Sequence, residues 1–303
     1  MNIGQTILDA ASLGSLYALV ALGLGLLIGV LRLINLAHGD FITVGAYSLI
    51  VPSVDATSFM LYQGWHWSAV VLMVCVVVIV LALVVDHGLF KPLRQANVGT
   101  LMIASFALSY FLQNAVMMIY GARPKGIDLW SSLGQGIEFF GIRVSLLQVT
   151  TISVTGLLLV LVGGLLKFTP IGIQMRAAAS DFRMARMLGV RGNRVIGAAF
   201  ALSAILAAIV SVLFVAQTGA LSPTMGVPLA LFGFIATVVG GLGSLTGAVV
   251  GGFLIGVVMT LFQSFLPDEL RNFREAFTFT LIVAVLMFRP KGLFPSKTLI
   301  DRV

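Results

Sequence analysis

The stretch VIGAAFALSAILAAIVSVLFVAQTGALSPTMGVPLALFGFIATVVGGLGSLTGAVVGGFLIGVVMTLFQSFLP, from Val195 to Pro267, contains no Asp, Glu, Lys or Arg. A run of 73 uncharged residues cannot cover a water-facing surface, because soluble domains carry roughly 25% charged residues throughout. The whole chain has the same character: 303 residues, 59% hydrophobic and 10% charged, with a mean hydropathy of +1.09. This excludes a soluble enzyme and predicts an all-α, polytopic helical bundle in a membrane.

A helix needs ~20 apolar residues to cross ~30 Å of hydrocarbon. On that measure about 8–9 spans are expected, near 8–31, 40–54, 68–86, 98–119, 145–166, 195–216, 226–242, 247–266 and 273–288. The second is short and meets Pro52, so it reads as a half-helix or as one running on toward Tyr62. The seventh and eighth are joined by Gly240-Gly241-Leu242-Gly243-Ser244-Leu245-Thr246-Gly247, a tight turn. Residues 1–303 read as one transmembrane domain with a single sizeable insert at about 167–194.

The net charge of +7 is best read as topology, since Lys and Arg in short loops stay in the cytoplasm. One choice of sides places Arg32, Lys91, Arg94, Lys167, Arg176, Arg183, Arg186, Arg191, Arg194, Arg289, Lys291, Lys297 and Arg302 inside, 13 of the 18 basic residues. Asp40, Asp86, Asp181 and Asp301 fall on the same side. Nine spans with the N-terminus out and the C-terminus in then satisfy every loop, and no nucleic-acid partner is implied. Trp65, Trp67 and Trp130 fit an aromatic belt at the outer face. Cys75 stands alone in an apolar run, so neither a disulfide framework nor a cysteine metal site is expected. The N-terminal stretch carries Asp9 and no basic region, and does not read as a cleaved signal peptide.

Two segments resemble each other. Leu31–Tyr47 and Val239–Gly256 are each expected to enter from outside, turn at glycine on the inner side, and return through a Gly-spaced helix. Gly39 and Gly45 serve in the first, and Gly247, Gly251, Gly252 and Gly256 in the second. Paired Gly-interrupted segments mark a transporter's pathway, while close packing through small residues is the plainer reading.

The insert Lys167–Arg194 opens with Thr169-Pro170-Ile171-Gly172, and Gly189 and Gly192 supply a helix stop. At 100° per residue, Ala177, Met184 and Leu188 share one face and Arg176, Arg183 and Arg186 another. A short amphipathic helix parallel to the membrane follows. It rests either on anionic headgroups or on a cytoplasmic partner, and the small residues Ala177–Ala179 favour the partner.

No energy source lies within the chain. The string Gly292-Leu293-Phe294-Pro295-Ser296-Lys297-Thr298 lacks the second glycine of a phosphate loop and follows no strand. No ionisable residue is expected deep in the bilayer, which weighs against ion coupling. Arg32, Asn35, His38 and Asp40 form a polar cluster at the first inner turn, where capping is expected rather than catalysis. His and Asp at i, i+2 do not face each other on a helix, and no nucleophile motif accompanies them. Ser and Thr within spans, such as Thr150 and Thr151, are expected to bond their own helix. Gln113 and Asn114 are costlier to leave in lipid and should face protein or a wet cavity. A mostly uncharged pathway suits a small neutral or zwitterionic solute.

Leu13–Leu19, Ile34-Asn35-Leu36-Ala37-His38-Gly39-Asp40, Phe111–Asn114, Arg176–Gly189 and Gly240–Ala248 together resemble the permease subunits of bacterial branched-chain amino acid ABC importers, of the leucine/isoleucine/valine H type. The resemblance runs nearly the whole chain. It implies a second, homologous permease subunit, two cytoplasmic ATPases and a periplasmic binding protein, all at the bacterial inner membrane, with no cofactor or metal. Arg176–Gly189 matches the family's ATPase-coupling loop, which assigns Arg176, Ala177, Ala179, Asp181, Ala185, Leu188 and Gly189 to docking. The acidic residue usual just before that aspartate is Ser180 here. Asn35, His38, Gly39, Asp40, Gln113, Asn114, Gly241, Gly243 and Gly247 become the pathway and turn residues. Relatives of this kind also move urea or short-chain amides, and a stand-alone carrier or an intramembrane enzyme are the other readings.

Overall fold

Helix α3 (Trp67–Val85) shows how an element that is apolar all round is sorted by its neighbours. Val70, Val74, Val78 and Ala82 are buried, and Leu72, Val76, Val80 and Val84, at the same spacing, are exposed. Residues four apart share a helix face, so one stripe packs against protein and the other is left for lipid. The computed structural model describes residues 3–31, 35–54, 58–62, 64–94, 96–130, 134, 136–139, 142–290 and 292–294. Of the expected cytoplasmic charges, Arg32, Lys291, Lys297, Asp301 and Arg302 lie outside the described residues.

Six helices are long and apolar enough to cross a membrane. They are α1 (Ile3–Leu31), α3 with its extension to Leu93, α5 (Val98–Tyr120), α6 (Leu146–Phe168), α9 (Gly192–Thr218) and α11 (Leu245–Phe265). The extension of α3 is a π-helical turn (Asp86–Phe90) followed by α4 (Lys91–Leu93). The other three expected spans form shorter helices, α2 (His38–Tyr47), α10 (Gly226–Gly240) and α12 (Arg274–Phe288). The protein is thus a multi-pass, all-helical membrane protein. Its only other regular elements among the described residues are two small antiparallel strand pairs. One joins β1 (Lys125–Gly126) to β4 (Ala220–Leu221), and the other is the hairpin of β2 (Gly136–Phe139) and β3 (Ile142–Ser145).

The helix ends carry their own stop signals. Asn97 caps α5, its Oδ1 accepting from the Thr100 amide at 2.7 Å, and Ser244 caps α11 by accepting from the Gly247 amide. Gly121 and Gly219, with φ of +87° and +62°, end α5 and α9. Thr150 and Thr151 bond the carbonyls of Leu146 and Leu147, as expected of hydroxyls inside a span.

The chain forms two compact units. The first comprises Met1–Gly25, Trp130–Gly164 and Phe232–Val303. Here α10 and α11 make a hairpin through Gly241 and Gly243, with φ of +111° and +83°. A Cβ on Gly251 would strike the Ala236 carbonyl, and one on Gly252 or Gly256 the backbone of Tyr17 or Gly14. Leu293 and Phe294 donate their amides to Val239 and Gly240 at 2.8 and 2.9 Å, closing the end of α10. The described part of the phosphate-loop-like string is therefore spent on a helix cap.

The second unit comprises Leu26–Leu129 and Leu165–Leu231. Its α2 packs on α9 and α3, and the backbones of Gly39 and Gly226 meet without room for a side chain. Thr43 Oγ1 accepts from the Gly226 amide at 3.0 Å, and Gly45 lies against Ser211 and Val78. The glycines of both expected repeats thus serve packing. The resemblance between the two segments fails in the first: its turn at residues 35–37 contains no glycine, and Gly39 lies inside α2. Replacing Gly226 by Ala drives a methyl into the Gly39 carbonyl. We expect a loss of roughly 1–3 kcal/mol or more, as for overpacking generally, seen as a lowered melting temperature in detergent, whereas Gly29→Ala, with open space, has little effect.

Candidate functional site

Helix α2 is only 10 residues long, and its first turn lies beside the middle of two full-length spans. The His38 Nδ1 is 3.2 Å from the Ser203 hydroxyl of α9. Ser109 and Gln113 of α5 face the Asp40 carboxylate, and the Gln113 amide donates to Ser109 at 2.9 Å. The Leu36 amide approaches the Ser105 hydroxyl at 3.4 Å. Ser203 and Ser109 both sit near the mid-length of their helices. The cluster therefore lies far from the ends of α5 and α9, which corrects the expected inner turn.

The expected caps are corrected as well. Ala37 is the N-cap residue of α2 and no side chain caps it. Asn35 Oδ1 accepts from the Ala37 amide at 3.1 Å and so holds the turn. His38 is 0% exposed, and Asn35 and Asp40 are each 1% exposed. The expectation of no ionisable group in the interior is thus overturned. A second buried acid, Asp86, is paired with Arg94, whose Nη2 lies 2.6 and 2.9 Å from its two oxygens. Arg94 also bonds Asn193 at the start of α9. Neither partner was distinguishable from an ordinary loop charge in the sequence, because the eight-residue separation closes only around the π-helical turn.

Of the other pathway residues, Gln113 joins the cluster, while Asn114 donates to the Tyr110 carbonyl of its own helix at 2.7 Å. Gly39 is held against Gly226. Gly241, Gly243 and Gly247 belong to the α10–α11 turn of the first unit. Ser203, buried beside His38, carried one legible signal: a polar residue inside an apolar span.

The insert is not one helix. Pro170–Ser180 forms α7 and Phe182–Met187 forms α8, separated at Asp181, which is extended at φ −147°. Asp181 Oδ1 accepts from the amides of Arg183 and Met184 at 2.9 and 3.0 Å and caps α8. Gly189, at φ +88°, closes α8, with its amide on Arg186 and the Val190 amide on Ala185. This break destroys the single 100° phase expected across the insert. Arg176, Ala177, Arg183, Met184, Arg186, Leu188 and Gly189 are exposed, Leu188 at 79%. Ala179 and Asp181 are half-buried, and Ala185 is turned inward at 3%. The exposed apolar surface here is made by Ile173 and Ala177 on α7 and by Met184, Met187 and Leu188 at α8.

The family profile described as the permease component of the branched-chain amino acid transport system matches residues 6–286. The high-affinity branched-chain amino acid transport system permease protein BraD of Pseudomonas aeruginosa is 30% identical over 95% of this chain and 94% of its own length. LivH of Escherichia coli K12, of the same description, is 28% identical over 95% and 94%. LivM of that organism is 23% identical over 97% of this chain and 71% of its own. No solved structure matches. With nearly every helix inside the matched region, the chain belongs to the family of branched-chain amino acid transport permeases.

Proposed function

We propose that this chain is the transmembrane permease subunit of a binding-protein-dependent ABC importer for branched-chain or related hydrophobic and neutral amino acids. It acts in a bacterial inner membrane beside a second, homologous permease subunit, with two cytoplasmic ATPases and a periplasmic binding protein. The observation that carries this reading is the family match over residues 6–286. The similarity to both LivH and LivM supports a heteromeric pair of permeases.

All nine apolar helices then lie within the membrane region of a single domain. α10 and α12, 15 residues each, are about 22 Å long and α2 about 15 Å, at ~1.5 Å per residue. The N-terminus is outside and the C-terminus in the cytoplasm. Within the second unit, the bond from Arg94 to Asn193 brings the basic ends of α4 and α9 together. The β1–β4 pair joins the opposite ends of α5 and α9. That segregation supports a cytoplasmic end rich in Lys and Arg.

The α7–α8 insert is the ATPase-docking element. Arg176, Ala177, Leu188 and Gly189 meet the ATPase directly. Asp181 sets the start of α8 and Ala185 its packing beneath. ATP binding and hydrolysis in the partner shift this element, and the spans move between outward- and inward-facing states. No step of the chemistry is performed by this chain.

Vesicles holding this chain with its co-encoded permease, ATPases and binding protein should take up labelled leucine on addition of ATP. Valine should compete, while excess urea and acetamide should not. Uptake of urea or acetamide without leucine would overturn the substrate and keep the architecture, and leucine transport by the chain alone would replace the importer with a carrier. In the same vesicles, Asp181→Ala removes the α8 cap, at a cost of about 0.5–2 kcal/mol, and Gly189→Ala forces a left-handed alanine at about 1–2 kcal/mol. Both should reduce uptake with normal membrane insertion. Asp181→Asn keeps the cap and should retain uptake, and a loss equal to that of Asp181→Ala would show that the charge itself is read by the ATPase.

A further inference from the structure

We propose that the buried cluster at the start of α2 is a transit site for the zwitterionic head of an amino acid, with Asp40 taking the α-ammonium and Asn35 and His38 the α-carboxylate. The proposal rests on the amino-acid reading above and names the residues that carry it.

Four buried side-chain atoms close no hydrogen bond here: Asn35 Nδ2, His38 Nε2, and Asp40 Oδ1 and Oδ2. Ser109 and Gln113 face the carboxylate, yet neither completes a bond of normal geometry on either oxygen. A charged or polar group in this position is costly unless it is answered, and an ionisable residue at mid-span marks a solute path. The chemistry of the open atoms is mixed. An ionised aspartate only accepts, and the asparagine Nδ2 only donates. His38 Nδ1 lies 3.2 Å from the Ser203 hydroxyl, and in the tautomer that carries its proton on Nε2 the open nitrogen donates too.

One anionic acceptor beside two neutral donors complements a molecule that carries an ammonium and a carboxylate together. A neutral amide or urea leaves the aspartate charge unanswered, and so does a water molecule. Among the described residues no group of three His, Cys, Asp or Glu is placed to hold a metal ion. The first-turn amides of α2 add the positive end of a helix to the carboxylate side.

The fold also supplies a fixed wall and a separable one. Gly39, between His38 and Asp40, is held backbone-to-backbone on Gly226, and Gly45 is held on α9. On the α5 side Ser105, Ser109 and Gln113 meet the cluster. Parting α5 from α2 opens the site without disturbing the backbone that carries it. The described conformation is the closed one.

The test uses the full reconstituted importer and reads leucine delivered per ATP hydrolysed, a ratio that a general folding defect leaves unchanged. Asp40→Asn keeps the shape and removes the charge, so the ratio should fall roughly 10–100-fold, the worth of a charge-assisted hydrogen bond. His38→Gln, which keeps a donor, should fall less than His38→Phe. A ratio for Asp40→Asn within about twofold of wild type overturns the proposal. A second measurement needs no variant: a hydrophobic carbodiimide should label Asp40 in the wild-type complex, and leucine supplied with binding protein and ATP should slow that labelling. Unchanged labelling overturns the proposal even where Asp40→Asn fails to assemble. A wild-type complex that delivers no leucine overturns the amino-acid reading itself, whereas leucine delivery that is indifferent to Asp40 overturns this proposal alone.

Discussion

Helices in lipid gain little from hiding apolar side chains, since the hydrocarbon around them is equally apolar, so they must gain from contact at short range. Here that contact is backbone against backbone. Gly39 meets Gly226 in the second unit, while Gly240 meets Gly247 and Gly256 meets Gly14 in the first. A single methyl at any of these positions has nowhere to go. The half-helix α2 depends on this most, because 10 residues cannot hold a place in a bundle through their own length.

The same solvent forbids unanswered polar groups, and irregular backbone survives only where protein covers it. The turn at residues 35–37 obeys this through the Asn35 side chain, which satisfies the Ala37 amide. The C-terminal end of α10 obeys it by accepting from the amides of Leu293 and Phe294. Asp86 obeys it through Arg94. Against that background, the open atoms of Asn35, His38 and Asp40 gather at the start of α2, whereas the other buried atoms without a bond among the described residues stand singly on Tyr47, Arg94 and Thr155.

Much of this was legible beforehand. The six long spans follow from uninterrupted apolar length and the tight α10–α11 turn from its glycines, and the second span was legible as short, though it ends at Tyr47, ahead of Pro52. The insert was found, but its break at Asp181 was not, because an aspartate inside a helical pattern and an aspartate capping a new helix have the same neighbours. The depth of His38 and Asp40 was also missed. Their distance from a charged loop is short along the chain, and only the mid-length contacts with Ser203 and Ser109 show where they sit.

Composition and the spacing of apolar and basic residues by themselves determined a polytopic helical membrane protein with a basic insert, since these depend on local chemistry and on the uniform demands of the bilayer, and the resemblance of its motifs pointed to a permease. Tertiary structure alone decided which glycines touch, which half of α3 faces lipid, and which polar residues share a buried site. Those outcomes depend on pairings between segments as far apart in sequence as Gly14 and Gly256, and no local pattern encodes which distant backbone will arrive.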